Sequence, residues 1–181
     1  NMAITRLGGA TAITGTIPQG NIANASLGAV TALPGAIATG KVLQVVTNDH
    51  ATRFVTSSAS FVAATGYTVA ITPSATSSKI FLMSTGGGAD TEASGRIIYG
   101  TYYRTISGGS ATHIGGDAEG ISQIFNTGAR TQAPMTLSML DSPNTTSAIT
   151  YQIYIRNNNT GNVSYNNNEG SAKFTAFEIA G

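Results

Sequence analysis

Side chains able to do covalent or metal chemistry are few in this sequence. It has two histidines, His50 and His113, and no cysteine. Asp49 beside His50 offers two ligand types, but neighbours on a strand project to opposite faces. Asp90 and Glu92 stand two apart, as do Asp117 and Glu119, and that spacing puts both carboxylates on one strand face. Such pairs perform acid–base work or hold Ca²⁺ through oxygen ligands. Glycoside hydrolysis needs two carboxylates flanking a cleft. Neither pair sits in the spacing of a calcium loop, and the plainer reading is solvated loop charge. Gly86-Gly87-Gly88 is not followed by the Lys-Ser/Thr of a phosphate loop. No Gly-x-Ser-x-Gly nucleophile turn occurs. The expectation is a chain that is not an enzyme and carries no metal or cofactor.

Residues suited to recognition are more prominent. Tyr99, Tyr102, Tyr103 and Arg104 fall in one strand. Alternation puts Tyr99 and Tyr103 on one face, Tyr102 and Arg104 on the other. One face belongs to the core. If Tyr102 and Arg104 point outward, a ring and a guanidinium can stack on sugars or grip a protein. Ordinary packing of a cation over a ring is the plainer account. Two Asn-rich loops, 157–159 and 166–168, offer amides to hydroxyl groups, with Asn158 and Asn167 as the candidate contacts. Such Asn runs are also common turn formers.

These residues need a scaffold, and the pattern supplies strands. Period-2 runs bounded by turn residues cover 41–48, 67–72, 79–84, 97–106, 111–115, 135–140, 149–155, 163–165 and 172–180. Ile149, Tyr151, Ile153 and Ile155 share one face. Pro73 to Ser77, Asp141 to Asn144 and Asn157 to Gly161 read as turns. No amphipathic helix of ten residues survives the Gly, Thr and Val content. The expected fold is all-β: a jelly-roll-like antiparallel β-sandwich of about eight strands.

Two strands break the alternation. Ile80-Phe81-Leu82-Met83 is apolar on both faces, and so are Phe174, Ala176, Phe177 and Ile179. An antiparallel strand usually shows water one polar face. A neighbouring subunit would cover the second apolar face, which makes Ile80, Leu82, Phe174, Phe177 and Ile179 candidates for a trimer interface. A bulge at Thr175 that changes facing is the alternative.

Composition divides the chain. It has 181 residues and a mass of 18.4 kDa. Charged residues make up 9%, and the net charge is +1. No basic excess exists for a phosphate backbone, so nucleic acid is not an expected partner. No apolar run is long enough to insert in a membrane. Residues 1–40 hold one charge, Arg6, and no aromatic residue. Gly, Ala and Thr dominate them, with Pro18 and Pro34 interrupting. Such a segment cannot form its own core. It suits an extended N-terminal arm whose Leu7, Ile13, Ile17 and Leu27 anchor on another surface. Residues 41–181 form the globular domain.

Several stretches resemble the small trimeric knob domains of tailed-bacteriophage virions. Gly40-Lys41-Val42-Leu43-Gln44-Val45-Val46 resembles the opening strand of phage fibre tip domains. Thr72 to Ile80 resembles their second turn and strand, Asp141 to Tyr151 their late hairpin, and Phe174 to Gly181 their last strand. The match spans most of 40–181. It implies a homotrimeric β-sandwich on the outer surface of a virion, made in the host bacterial cytoplasm. Such knobs serve as capsid decoration (cement) proteins that bind the major capsid protein, or as fibre tips that bind host surface glycans. A fibre tip should follow a shaft, and here 40 residues of arm precede the knob; taken as the whole protein this favours decoration, and taken as a fragment it favours the fibre tip. The expectation is therefore a decoration protein anchored by its arm, with the glycan-binding fibre tip as the alternative.

Overall fold

The structure is a computed structural model that describes residues 41–126, 128–158 and 161–181. The chain divides at Ala38/Thr39, and every described strand belongs to the second unit, Thr39–Gly181. The arm residues Leu7, Ile13, Ile17 and Leu27 lie outside the described residues.

The strands are β1 (Val42–His50), β2 (Phe54–Thr56), β3 (Val62–Ile71), β4 (Lys79–Thr85), β5 (Gly88–Asp90), β6 (Ile97–Ile106) and β7 (Thr112–His113). They continue with β8 (Ser122–Phe125), β9 (Gln132–Pro134), β10 (Leu137–Asp141), β11 (Ile149–Asn157), β12 (Val163–Tyr165) and β13 (Ala172–Ile179). Among the described residues no helix occurs, and none is long and apolar enough to cross a membrane.

Three sets of hydrogen-bonded strands form. Their orders are β1-β13-β4-β10, then β3-β11-β6-β7 with β8 also on β6, then β2-β12-β5-β9. The third set repeats the order of the first. β2 follows β1, β5 follows β4, β9 leads into β10, and β12 leads into β13. The two sets are one four-stranded layer with a break across it. The second layer also has four positions, because β7 and β8 pair with successive stretches of β6. Thirteen segments thus reduce to eight strands in two antiparallel layers, which is a jelly roll.

The break has a local cause. Gly86 and Gly87 both adopt positive φ, a conformation that side chains resist. A Cβ on Gly86 would stand 2.5 Å from the Ser171 carbonyl oxygen. Alongside, Asn166 also has positive φ. Its side-chain amide donates to the carbonyls of His50 and Gly170, which ties the neighbouring strands across the kink.

Between the layers, the inward sets of β3, β6 and β11 meet those of β4, β10 and β13. Tyr67, Val69, Ile98, Tyr102, Tyr151, Ile153, Ile80, Leu82, Leu137 and Phe174 are all buried there. Tyr102 lies flat on Phe174, with ring centroids 5.0 Å apart, and donates its hydroxyl proton to the Leu137 carbonyl at 2.8 Å.

This packing corrects the interface expected from the doubly apolar strands. Ile80, Leu82 and Phe174 belong to the core of the single chain and offer no surface to a second one. Phe177 and Ile179 point the other way and are only half-buried. The pairing of β13 with β4 runs from Lys173 to Ile179 without a register shift, so no bulge at Thr175 changes facing.

One end of the sandwich is closed by carboxylates. Gln44, Glu178, Ile80 and Asp141 occupy one inward row across the first layer. Glu178 accepts from the Ser74 amide and hydroxyl, each at 2.6 Å, and from Gln44 Nε2 at 2.7 Å. Burial alone would raise its pKa. The hydrogen bonds, led by those from Ser74, outweigh burial and hold the carboxyl down at about 2. Asp141 accepts from Arg104 Nη1 and from the Tyr151 hydroxyl at 2.7 Å.

Candidate functional site

The outer face of each layer departs from the usual polar pattern. On the first layer, Val45 pairs with Phe177, Phe177 with Phe81, and Phe81 with Leu140. These four side chains form one in-register apolar row across every strand, about 14 Å wide at normal strand spacing. The Phe81 and Phe177 rings lie 6.0 Å apart. Val45 is 53% exposed and Leu140 49%. The next row is Thr47, Thr175, Met83 and Ser138. Beyond it, Lys173 and Asp49 form an ion pair at 2.7 Å.

The second layer carries aromatic rings outside. Tyr99, Thr101 and Tyr103 of β6 face outward with Gln152, Tyr154 and Arg156 of β11. Register sets Tyr99 opposite Arg156, and the guanidinium lies over the Tyr99 ring at 3.8 Å. Tyr103 stacks on its diagonal neighbour Tyr154 with centroids 3.8 Å apart. Opposite Tyr103 on β7 is His113, stacked at 5.0 Å. Burial first, then the neighbouring Tyr154, raises the Tyr103 pKa.

Two loops complete this face. The segment after β2 brings Phe61 to 5.5 Å from the His113 ring at an angle of 43°. The segment after β7 folds back on β6 through Ile114 N to the Tyr102 carbonyl and Ile121 N to the Gly100 carbonyl. Its turn closes with Gly120 N donating to the Asp117 carbonyl. Gly120 has positive φ, and a Cβ there would meet both the Gly100 carbonyl, at 2.6 Å, and the Phe61 ring. The same turn offers the Ala118 carbonyl to Nε and Nη2 of Arg156. Thr101 Oγ1 donates to the Gly115 carbonyl and lies 2.9 Å from His113 Nε2. The hydroxyl proton is thereby committed, so the histidine nitrogen is the donor to Thr101 and Nδ1 is the acceptor of the neutral ring. Between the loops lies an open cavity of about 460 Å³ lined by Ala59, Ser60, Phe61, His113, Ala118 and Arg156.

The recognition residues expected from sequence are distributed differently. Tyr102 is fully buried and Arg104 is held by Asp141, so this pair is the inward face of β6. The reason is that Ile98, Tyr102 and Ile106 present their larger apolar surface to the core when Tyr99 and Tyr103 face out. Asn158 Oδ1 accepts from the Ile97 amide at 2.8 Å. Asn167 donates its backbone amide to the Gly88 carbonyl and its side chain meets Ser164 Oγ. Both Asn residues fasten turns to neighbouring strands. Phe61, His113, Tyr154 and Arg156 were not singled out for recognition by sequence reasoning. A signal existed for two of them: with Ile149, Tyr151, Ile153 and Ile155 inward, Tyr154 and Arg156 must face out.

The carboxylate pairs are structural. Asp117 Oδ1 accepts from the Glu119 amide at 2.9 Å, and Asp90 Oδ1 from the Glu92 amide at 2.8 Å. Each pair is a local turn closed by its first carboxylate. Asp90 is fully buried and ion-paired with Arg130, while Glu92 pairs with Arg53. Burial would raise the Asp90 pKa, but Arg130, Gln132 and the Glu92 amide lower it to about 2. Asp49 and His50 take opposite faces. Asp49 pairs with Lys173 outside, and the His50 ring meets Tyr67 edge-on at 4.6 Å. Among the described residues, no three His, Asp or Glu side chains gather to hold a metal ion.

No protein-family model matches this sequence, and no curated protein matches it. Among solved structures, the chain is similar to one described as the structure of infectious bursal disease virus Gt strain. The identity is 15% and the TM-score 0.40, over 76% of this chain and 38% of that one. The match therefore spans well under half of the viral chain's length.

Proposed function

We propose that this chain is a non-enzymatic structural protein of a virus particle, a jelly-roll knob that assembles as a homotrimer. The observation that carries the reading is the apolar row Val45–Phe177–Phe81–Leu140 on the outer face of the first layer. Water-facing sheets normally avoid such a row, and contiguous apolar surface of this kind is typical of association sites. Closed symmetry limits the assembly to a defined number of copies. The phage-knob resemblance supports three. Jelly rolls are used in viral capsid domains, although the fold alone does not assign a function. The acids are tied into turns and ion pairs, which supports a structural rather than a catalytic chain.

The finer reading is a bacteriophage capsid decoration protein on the outer surface of the virion, joined to the major capsid protein through residues 1–40. Light scattering on residues 1–181 and 41–181 tests the assembly. The expected mass for 1–181 is three times 18.4 kDa, with a trimer also for 41–181. Monomers at all concentrations would overturn the trimer. Mixing both forms with undecorated capsids tests the partner. The full chain is expected to co-sediment and the shorter form to stay in solution. Binding of the shorter form would remove the anchoring role of the arm.

A further inference from the structure

The first layer ends in two open strands. We propose that the trimer closes by strand addition, with the open edge of β1 in one copy pairing antiparallel with the open edge of β10 in the next. The inference rests on the trimer reading and names the surfaces that meet within it.

Neither edge carries the usual guards. Among the described residues, β1 bonds only to β13 and β10 only to β4. An edge strand presents unpaired backbone donors and acceptors, which soluble proteins guard with proline, outward lysine or a bulge. From Gln44 to Asn48, β1 has no proline and no charge, and its register with β13 does not shift. β10 has no proline, and its one charge, Asp141, points inward to Arg104 and Tyr151. Other edges are guarded. The register of β3 on β11 shifts between Gln152 and Tyr154, and β9 ends in Pro134.

Polarity and pattern fit one edge to the other. Every step from β1 through β13 and β4 to β10 is antiparallel, so β1 and β10 run in opposite directions. Rotation about an axis along the strands keeps those directions, so β10 of one copy meets β1 of the next antiparallel. Continuing each row across the junction fixes the register. On the outer face Leu140 meets Val45, and Ser138 meets Thr47. On the inner face Met139 meets Val46, Asp141 meets Gln44 and Leu137 meets Asn48. Apolar thus meets apolar, hydroxyl meets hydroxyl and carboxylate meets amide. The last pair is the exception, and both its side chains are engaged in their own chain: Leu137 is buried, and Asn48 donates to the Gly66 and Thr68 carbonyls. Exposure agrees with the junction. Val45 and Leu140, the ends of the apolar row, are exposed, whereas Phe81 and Phe177 between them are half-buried. Val46 and Met139 sit at the core margin, also half-buried. A neighbouring strand covers all four edge side chains. Pairing β1 with a second β1 would need a two-fold axis and leave β10 open. A head-to-tail contact instead closes into a ring, and the apolar row becomes a continuous band facing its axis.

Cysteine cross-linking of the full chain tests the junction. The chain has no cysteine of its own, so introduced thiols report this contact alone. Val45→Cys and Leu140→Cys place thiols at exposed positions on opposite edges. Within one chain these lie about 14 Å apart, too far to join, whereas an antiparallel pair across the junction is within disulfide reach. After mild oxidation, neither single variant is expected to cross-link by itself. Their refolded mixture is expected to give a two-chain species, and the double variant a closed species of three chains on a non-reducing gel. Cross-linking of either single variant alone would overturn the proposal, as would a ladder that runs past three chains. Light scattering on the reduced double variant separates the proposal from the trimer reading. A trimer that does not cross-link overturns edge pairing and keeps the trimer, and a monomer overturns both.

Discussion

Replacing Glu178 by Gln removes one of the two carboxylates, Glu178 and Asp141, from the row that closes the sandwich end. Glu178 is 1% exposed and accepts from Ser74 twice and from Gln44 once. Burial pushes its pKa up, and the hydrogen bonds bring it from an ordinary 4.5 to about 2. At 1.36 kcal/mol per pH unit, this difference stabilises the folded state by about 3 kcal/mol when the group is ionised. The sign follows from the direction. A carboxyl with a lowered folded pKa holds its stabilisation above the unfolded value, and loses it as pH falls toward the folded one. Wild-type stability should therefore decline between about pH 5 and pH 2. Asp90, also held at about 2, adds to the decline in both proteins. The difference between wild type and Glu178→Gln isolates Glu178. Urea unfolding followed by tyrosine fluorescence, at one fixed protomer concentration, measures it, since the chain has no Trp and an assembly's stability depends on concentration. The variant is expected to be about 3 kcal/mol less stable at pH 7, with the gap closing toward pH 2. A gap that stays constant across this range would refute the electrostatic account and leave only lost packing.

Other outcomes follow from particular contacts. Under the proposed trimer, Phe177→Ser with Leu140→Ser should yield a folded chain of one-third the assembled mass in light scattering, because both side chains lie on the outer row and not in the core. Arg104→Met leaves Asp141 without its cation and should cost about 3 kcal/mol in urea unfolding. Gly86→Ala forces a Cβ against the Ser171 carbonyl at positive φ and should destabilise by about 2 kcal/mol or more, seen as a lower melting temperature. A wild-type melting temperature for Gly86→Ala would mean that the break between the strands adjusts freely.

Most strands legible in the sequence are the long ones; the short β7 and β12 were read from the turns that flank them. β1, β3, β4, β6, β10, β11 and β13 have enough residues for a period of two to emerge from the composition. β2, β5, β8 and β9 have three or four residues each, too few for a period, and they were missed. The Gly86 to Gly88 run was legible as something other than a phosphate loop. Its role as the break that divides one layer required the neighbouring Ser171 and Asn166, far away in sequence.

For the site, the types of residue were legible and the side on which they sit was not. Both faces of β6 carry tyrosines, and both faces of β4 carry large apolar groups. A period of two separates the faces without saying which is inside. That choice depends on the opposing layer: Phe174 receives Tyr102, Asp141 receives Arg104, and Ile80 and Leu82 meet the inward sets of β3, β6 and β11. The sequence by itself therefore determined an all-β chain with two strands apolar on both sides and a separate small-residue segment ahead of them. Only the tertiary structure decided that Phe81 and Phe177, rather than Ile80 and Phe174, lie on the outer face of their layer. It also brought Phe61, His113 and Arg156 from three separate segments to one cavity. The physical reason is common to both. Alternation is a local property of the backbone, whereas burial is decided by which surfaces meet across the sandwich.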